Sequence, residues 1–171
     1  DTVVRLYSMS KPVTSCALMM LVEKGLCHLN MPVSEFVPEF KDMHALIPGA
    51  TSIDQTTSCA TPTLHHLLTH TSGLTYGINA GLVPELMAKD ALDFKPAQTT
   101  LEKICSRLSK IPLVFEPGKK WEYSVSIDVL GRVIELISGQ TLDAFFQSEI
   151  FQSLGMTQTG FTLRDHARGK V

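Results

Sequence analysis

From Val13 to Val22 every position except Thr14 and Ser15 is apolar, and Glu23 with Lys24 closes the run. A helix hydrophobic nearly all round belongs in the middle of a core, and Gly25 is a natural stop. A second signal lies at 127–138, where Ile127, Leu130, Val133, Ile134 and Ile137 recur on one helical face. Ser126 can cap that helix and Gly139 end it. Thr141 opens "LDAFFQSEIFQSL", which Gly155 closes. Thr99 and Glu102 have the spacing of a capping box for "LEKICSRLSK", and Pro112 stops it. "TLHHLLTH" reads as a short helix capped by Thr63 and ended by the turn "TSG", and "MPVSEFVPEF" as a short helix bounded by Pro32 and Pro38. Strand character is confined to "TVVRLYS" at the N-terminal edge and to the neighbourhood of "TGFTL". The stretch from the end of "MPVSEFVPEF" to about residue 62, and the region before Thr99, have little periodicity and read as loops. Long loops in a compact domain are usually functional, so they are expected to wall a cleft.

Composition narrows the class. At 171 residues and 44% hydrophobic content, the chain can bury a sizeable core and is one domain or part of one. A formal net charge of -2 without any Lys/Arg cluster lacks the electrostatic footprint of nucleic-acid binding. The expected partners are small molecules. No uninterrupted apolar stretch reaches the roughly 18 residues that a membrane-spanning helix needs. The four cysteines, Cys16, Cys27, Cys59 and Cys105, include no CxxC pair. They read as free core thiols of a protein in a reducing compartment, and a cytoplasmic location is the expectation. The chain starts at Asp1 and runs at once into strand-like residues, so the natural N-terminus is expected to lie further upstream.

Candidate chemistry sits at the mouth of the first helix, in "LYSMSKPVTS". Lys11 follows Ser8 by three residues, which places the two on one helix face. Two readings compete. In one, Ser8 or Ser10 caps the helix and Lys11 points to water. In the other, the helix dipole and an apolar setting favour a neutral Lys11 amine able to take the hydroxyl proton of Ser8. Pro12 biases Lys11 away from helical dihedrals and predicts an irregular first turn. His66 and His70 share the i, i+4 spacing of a zinc-protease pair, but Leu67 stands where that motif carries its glutamate.

Four ordered segments, "YSMSKPVTSCALMMLVEKG", "LLTHTSGLTYG", "FEPGKKWEYSVSIDVLGRVIELISG" and "IFQSLGMTQTGF", resemble the serine β-lactamase and penicillin-binding-protein superfamily. Within it they are most similar to the class C β-lactamase-like carboxylesterases and acyltransferases. The resemblance implies an α+β, β-lactamase/transpeptidase-like fold, with residues 1–171 forming the N-terminal, mostly helical part of one domain. The sheet would be largely missing. It also implies an SxxK mechanism with Ser8 as nucleophile, Lys11 as its partner base and Tyr123, in "WEYSVS", as the tyrosine of the second motif. No cofactor is required. The expected substrate is a small carboxylic ester or amide, processed through an acyl-enzyme. The "HTSGL" turn at 70–74 is expected to be a structural corner.

Two departures from the family pattern shape these expectations. Val125 stands where β-lactamases often carry an asparagine, which favours esters over lactams. The family's third motif, on a later strand, has no counterpart before Val171. The alternatives are a β-lactamase or D-alanyl-D-alanine peptidase, and a non-catalytic binding protein with the same fold.

Overall fold

The computed structural model describes residues 2–93 and 99–162. Its centre is helix α5, Ser126–Ser138, which packs against α1 (Ser10–Glu23), α2 (Leu64–Leu68), α4 (Leu101–Leu108) and α6 (Leu142–Phe145). The apolar face expected for 127–138 is the reason: Leu130, Val133 and Ile134 are fully buried. Gly139 ends α5 in the left-handed region at φ +69°. α1 supplies the facing stripe with Ala17, Leu18 and Leu21, whereas Cys16 and Met19 on its other side are exposed. The run is therefore buried on one face among the described residues, not all round as its composition suggests.

α1 starts at Ser10 and includes Lys11 and Pro12, preceded by a 3-10 turn at Tyr7–Met9. Pro12 fits because the first turn of a helix has no intrahelical use for its N–H groups. The strand expected at "TVVRLYS" does not form: residues 2–6 are irregular and pair with nothing in the ladder. An extended segment becomes a strand only beside a partner, and among the described residues none pairs with it. The described part of "TGFTL", up to Thr162, is likewise irregular, with a bend over 160–162, and Leu163 lies outside the described residues.

The stretch read as loop contains the described sheet. β1 (His44–Leu46) pairs antiparallel with β2 (Thr56–Ser58), with Ala45 opposite Thr57. Leu113 extends it: its N–H donates to His44 O at 2.8 Å and its carbonyl accepts the Leu46 N–H at 2.9 Å. "MPVSEFVPEF" gives two 3-10 turns, Val33–Glu35 and Pro38–Phe40, because Pro38 divides it. α3, Leu82–Lys89, lies in the region before Thr99 that was expected to be loop.

Two caps differ from expectation. Thr100, not Thr99, caps α4, its Oγ1 accepting the Lys103 N–H at 3.3 Å. Glu102 meets Arg132 instead, at 3.6 Å. Ser126 does not cap α5, which begins after Val125 with no side-chain cap. α6 runs into a π-helical turn, Phe146–Phe151, that buries Phe146, Ile150 and Phe151. All four cysteines are free, and burial pushes the Cys105 thiol up to about 12. Among the described residues, no helix is long and apolar enough to cross a membrane.

Candidate active site

The site forms where the start of α1 meets the segment leading into α5. The turn at 70–74 fixes that segment. Gly73 approaches it so closely that a Cβ would stand 2.2 Å from the Phe115 carbonyl oxygen, and its φ of +83° also suits only glycine. Backbone bonds lace the two stretches together. Val114 donates to Gly73 O at 2.8 Å, Gly118 to Thr71 O at 2.8 Å and Glu122 to His70 O at 2.9 Å. This lacing carries Tyr123 to the mouth of α1.

There, Lys11 Nζ donates to Ser8 Oγ at 3.3 Å. The ammonium lies 4.7 Å from the centroid of the Tyr123 ring and 5.5 Å from that of Tyr76. Ser8 is exposed, Lys11 and Tyr123 are half-buried and Tyr76 is buried. The capping reading is overturned, because Met9 is the N-cap of α1 and no side chain caps it. Ser8, Lys11 and Tyr123 are brought together as expected, although Lys11 and Tyr123 are far apart in sequence.

The electrostatics correct one expectation. Burial pulls the Lys11 amine down, but hydrogen bonds to Tyr123 and Tyr76 outweigh it and hold the group above its ordinary value. That direction favours the ammonium over the neutral amine expected of a desolvated lysine. For Tyr123, burial pushes the phenol up while hydrogen bonds from Lys11 and Ser8 pull harder, so it lies below its ordinary value. Tyr76, more deeply buried, is pushed up despite Lys11. In α5, Asp128 is open to solvent on one side, yet desolvation by the protein around it outweighs the pull of Lys11 and lifts its carboxyl. The pair Lys11–Tyr123 is thus biased toward ammonium and phenolate.

Tyr76 is the site residue that the sequence reading missed. It lies six residues after His70 in "HTSGLTYG", a segment matched as a whole but with no side chain singled out. Val125 is not a site residue: it is 2% exposed and packed in the core. The His66–His70 pair is not a helical pair either, because α2 ends at Leu68 and His70 has φ +55°. His66 is used locally, its Nδ1 accepting the Thr63 N–H at 3.3 Å while Thr63 Oγ1 accepts the His66 N–H at 3.3 Å.

A family model described as Beta-lactamase matches residues 1–171. The chain belongs to the beta-lactamase family. Among its relatives is the protein named esterase EstB from Burkholderia gladioli, 37% identical over 174 residues that cover 100% of this chain and 41% of that one. Another is lovastatin esterase from Penicillium rubens, 34% identical over 94% of this chain and 40% of its own length. The solved structure of EstCE1, a hydrolase with promiscuous acyltransferase activity, superposes with a TM-score of 0.76 at 31% identity, covering 92% of this chain and 39% of that one. A penicillin-binding protein from Bacillus halodurans shares the fold, with a TM-score of 0.64 at 24% identity over 94% of this chain and 44% of its own. The chain spans about two fifths of the length of the curated relatives it matches. In this beta-lactamase-family fold, α+β and β-lactamase/transpeptidase-like, the described residues are mostly helical with one two-stranded sheet.

Proposed function

We propose that the protein is a serine hydrolase of carboxylic esters, working through an acyl-enzyme on Ser8. One observation carries the reading: Lys11 Nζ holds Ser8 Oγ at 3.3 Å beside a phenol whose acidity it raises. With Lys11 donating to Oγ, the Ser8 O–H is free to donate to the Tyr123 oxygen. Tyr123 as phenolate takes that proton while Oγ bonds to the carbonyl carbon. The collapsing intermediate expels the alcohol, which receives the proton back from Tyr123. Water or a second alcohol repeats the sequence and frees Ser8. Lys11 keeps its charge throughout and stabilises the phenolate, the role that its raised proton affinity supports. The Ser8 N–H, in the 3-10 turn that leads into α1, is suited to hold the oxyanion. No step calls for a cofactor, and the substrate is a small ester or amide.

The names of the esterase and acyltransferase relatives support ester chemistry over lactam hydrolysis. The test uses the full-length protein. It is expected to turn over p-nitrophenyl butyrate faster than nitrocefin, to be labelled by a fluorophosphonate at Ser8, and to lose both properties in Ser8→Ala. Preference for nitrocefin would transfer the reading to a β-lactamase. Absence of labelling at Ser8 would leave a binding protein with a hydrolase fold.

A further inference from the structure

Behind Tyr123 lies a line of buried polar groups that the proposed chemistry does not use. His70 Nδ1 accepts the Ser124 N–H at 3.3 Å and stands 3.2 Å from Ser124 Oγ. Ser124 Oγ is 2.7 Å from Ser126 Oγ, which is 2.8 Å from Ser72 Oγ, and Ser72 Oγ accepts the Leu74 N–H at 3.1 Å. The three serines are fully buried. The same imidazole packs against the Tyr123 ring, with centroids 4.8 Å apart. A backbone N–H can only donate, so Nδ1 must offer its lone pair and the ring proton belongs on Nε2. His70 also accepts the Glu122 N–H through its carbonyl, at 2.9 Å. One residue thus holds the chain on both sides of Tyr123 and backs its ring.

We propose that His70 is a positioning residue for the proton-carrying tyrosine: its neutral, Nε2-protonated imidazole holds Ser124 and thereby aims the Tyr123 phenol at Ser8 and Lys11. This rests on the reading of Tyr123 given above. Burial and the Lys11 ammonium, which approaches from α1, favour the neutral form of the ring. Tyr123 and Trp121 pack against it from the segment opposite, the Glu122 carboxylate there is held by Thr75 and Asn79, and Tyr76 lies on the loop that follows His70. Asp128, on α5, attracts Lys11. Burial first, and then the Lys11 ammonium, lower the proton affinity of His70. Protonation at low pH removes the acceptor from the Ser124 N–H and places a second cation beside Lys11, so the alignment is present above the depressed His70 pKa and lost below it.

The full-length protein tests this with two substitutions and one spectrum. Asn at position 70 offers a carbonyl oxygen near the place of Nδ1, does not titrate, and tolerates the φ of +55°. His70→Ala is expected to lower kcat about tenfold or more with KM little changed, the pattern of lost alignment. His70→Asn is expected to recover most of kcat at neutral pH and to lose the His70 component of the acid limb. Nitrogen NMR of the wild type should find His70 as the Nε2-protonated tautomer, titrating below the ordinary histidine range. A proton on Nδ1, an ordinary titration, full kcat in His70→Ala, or an Asn variant as impaired as the Ala variant would each overturn the proposal. If the Ala variant does not fold, the Asn variant and the spectrum decide. Full activity in Tyr123→Phe would overturn the proton-carrier reading instead, and the tautomer in the wild type is read independently of it.

Discussion

At the scale of single residues, the exchange of roles between Lys11 and Tyr123 has a measurable signature. Tyr123 sits below its ordinary value because Lys11 and Ser8 favour its phenolate, and activity that needs the phenolate rises as pH climbs through that value. Removing the ammonium in Lys11→Met raises the Tyr123 pKa, so the rising limb of kcat/KM moves to higher pH. The loss at neutral pH should be of the order of 10²- to 10⁴-fold. A limb that stays in place while activity falls would show that the titrating group is not a Tyr123 phenol held down by Lys11. Val125 makes a second prediction by being buried at 2% exposure. Val125→Asn places an amide in the core, which costs about 1–3 kcal/mol if unpaired, and is not expected to create lactam turnover. A lowered urea midpoint with unchanged nitrocefin rates is the expected result. Ser8 and Lys11 were legible because a spacing of three on a helix fixes their neighbourhood locally. Tyr76 was not, since its approach depends on how an irregular loop folds back, and sequence periodicity says nothing about that. Nor could burial alone foretell the charge of Lys11, because the decisive groups were phenols contributed by distant stretches.

Helices, the next scale up, were read well where an apolar stripe ran for several turns, as in α5, and poorly where an element was short. β1 and β2 have three residues each, too few to display alternation, and the residue that pairs with β1 on its other side, Leu113, lies far along the chain. α3 carries Pro84 in its first turn, a residue more often taken as a loop marker, although proline is tolerated there. The capping-box spacing to Glu102 pointed to Thr99, but the helix starts one residue later and Thr100 caps it. Thr100→Ala should therefore destabilise the protein by about 1 kcal/mol, while Thr99→Ala should leave the denaturant midpoint near that of the wild type. Equal losses in the two variants would contradict the cap as described.

For the whole molecule, Gly73 is the point at which the two halves of the site are locked together. Gly73→Ala must displace the Phe115 carbonyl or distort its own φ of +83°, at a cost on the order of 2–4 kcal/mol. Activity should fall more than stability alone explains, because the displaced segment carries Tyr123. Unfolding curves and kcat measured on the same samples check this, and an active, equally stable variant would contradict it. The joint between α1 and α5 has a further consequence, for time rather than for energy. Ser8 and Lys11 are neighbours in the chain, but the phenol that completes them arrives only when a loop of more than a hundred residues has closed. Contacts of such high sequence separation are slow to form in folding. During synthesis and refolding, the serine is thus exposed before its partners reach it, and the meeting of Ser8, Lys11 and Tyr123 becomes a late marker of folding, acquired with the docking of α1 onto α5 rather than with the helices themselves.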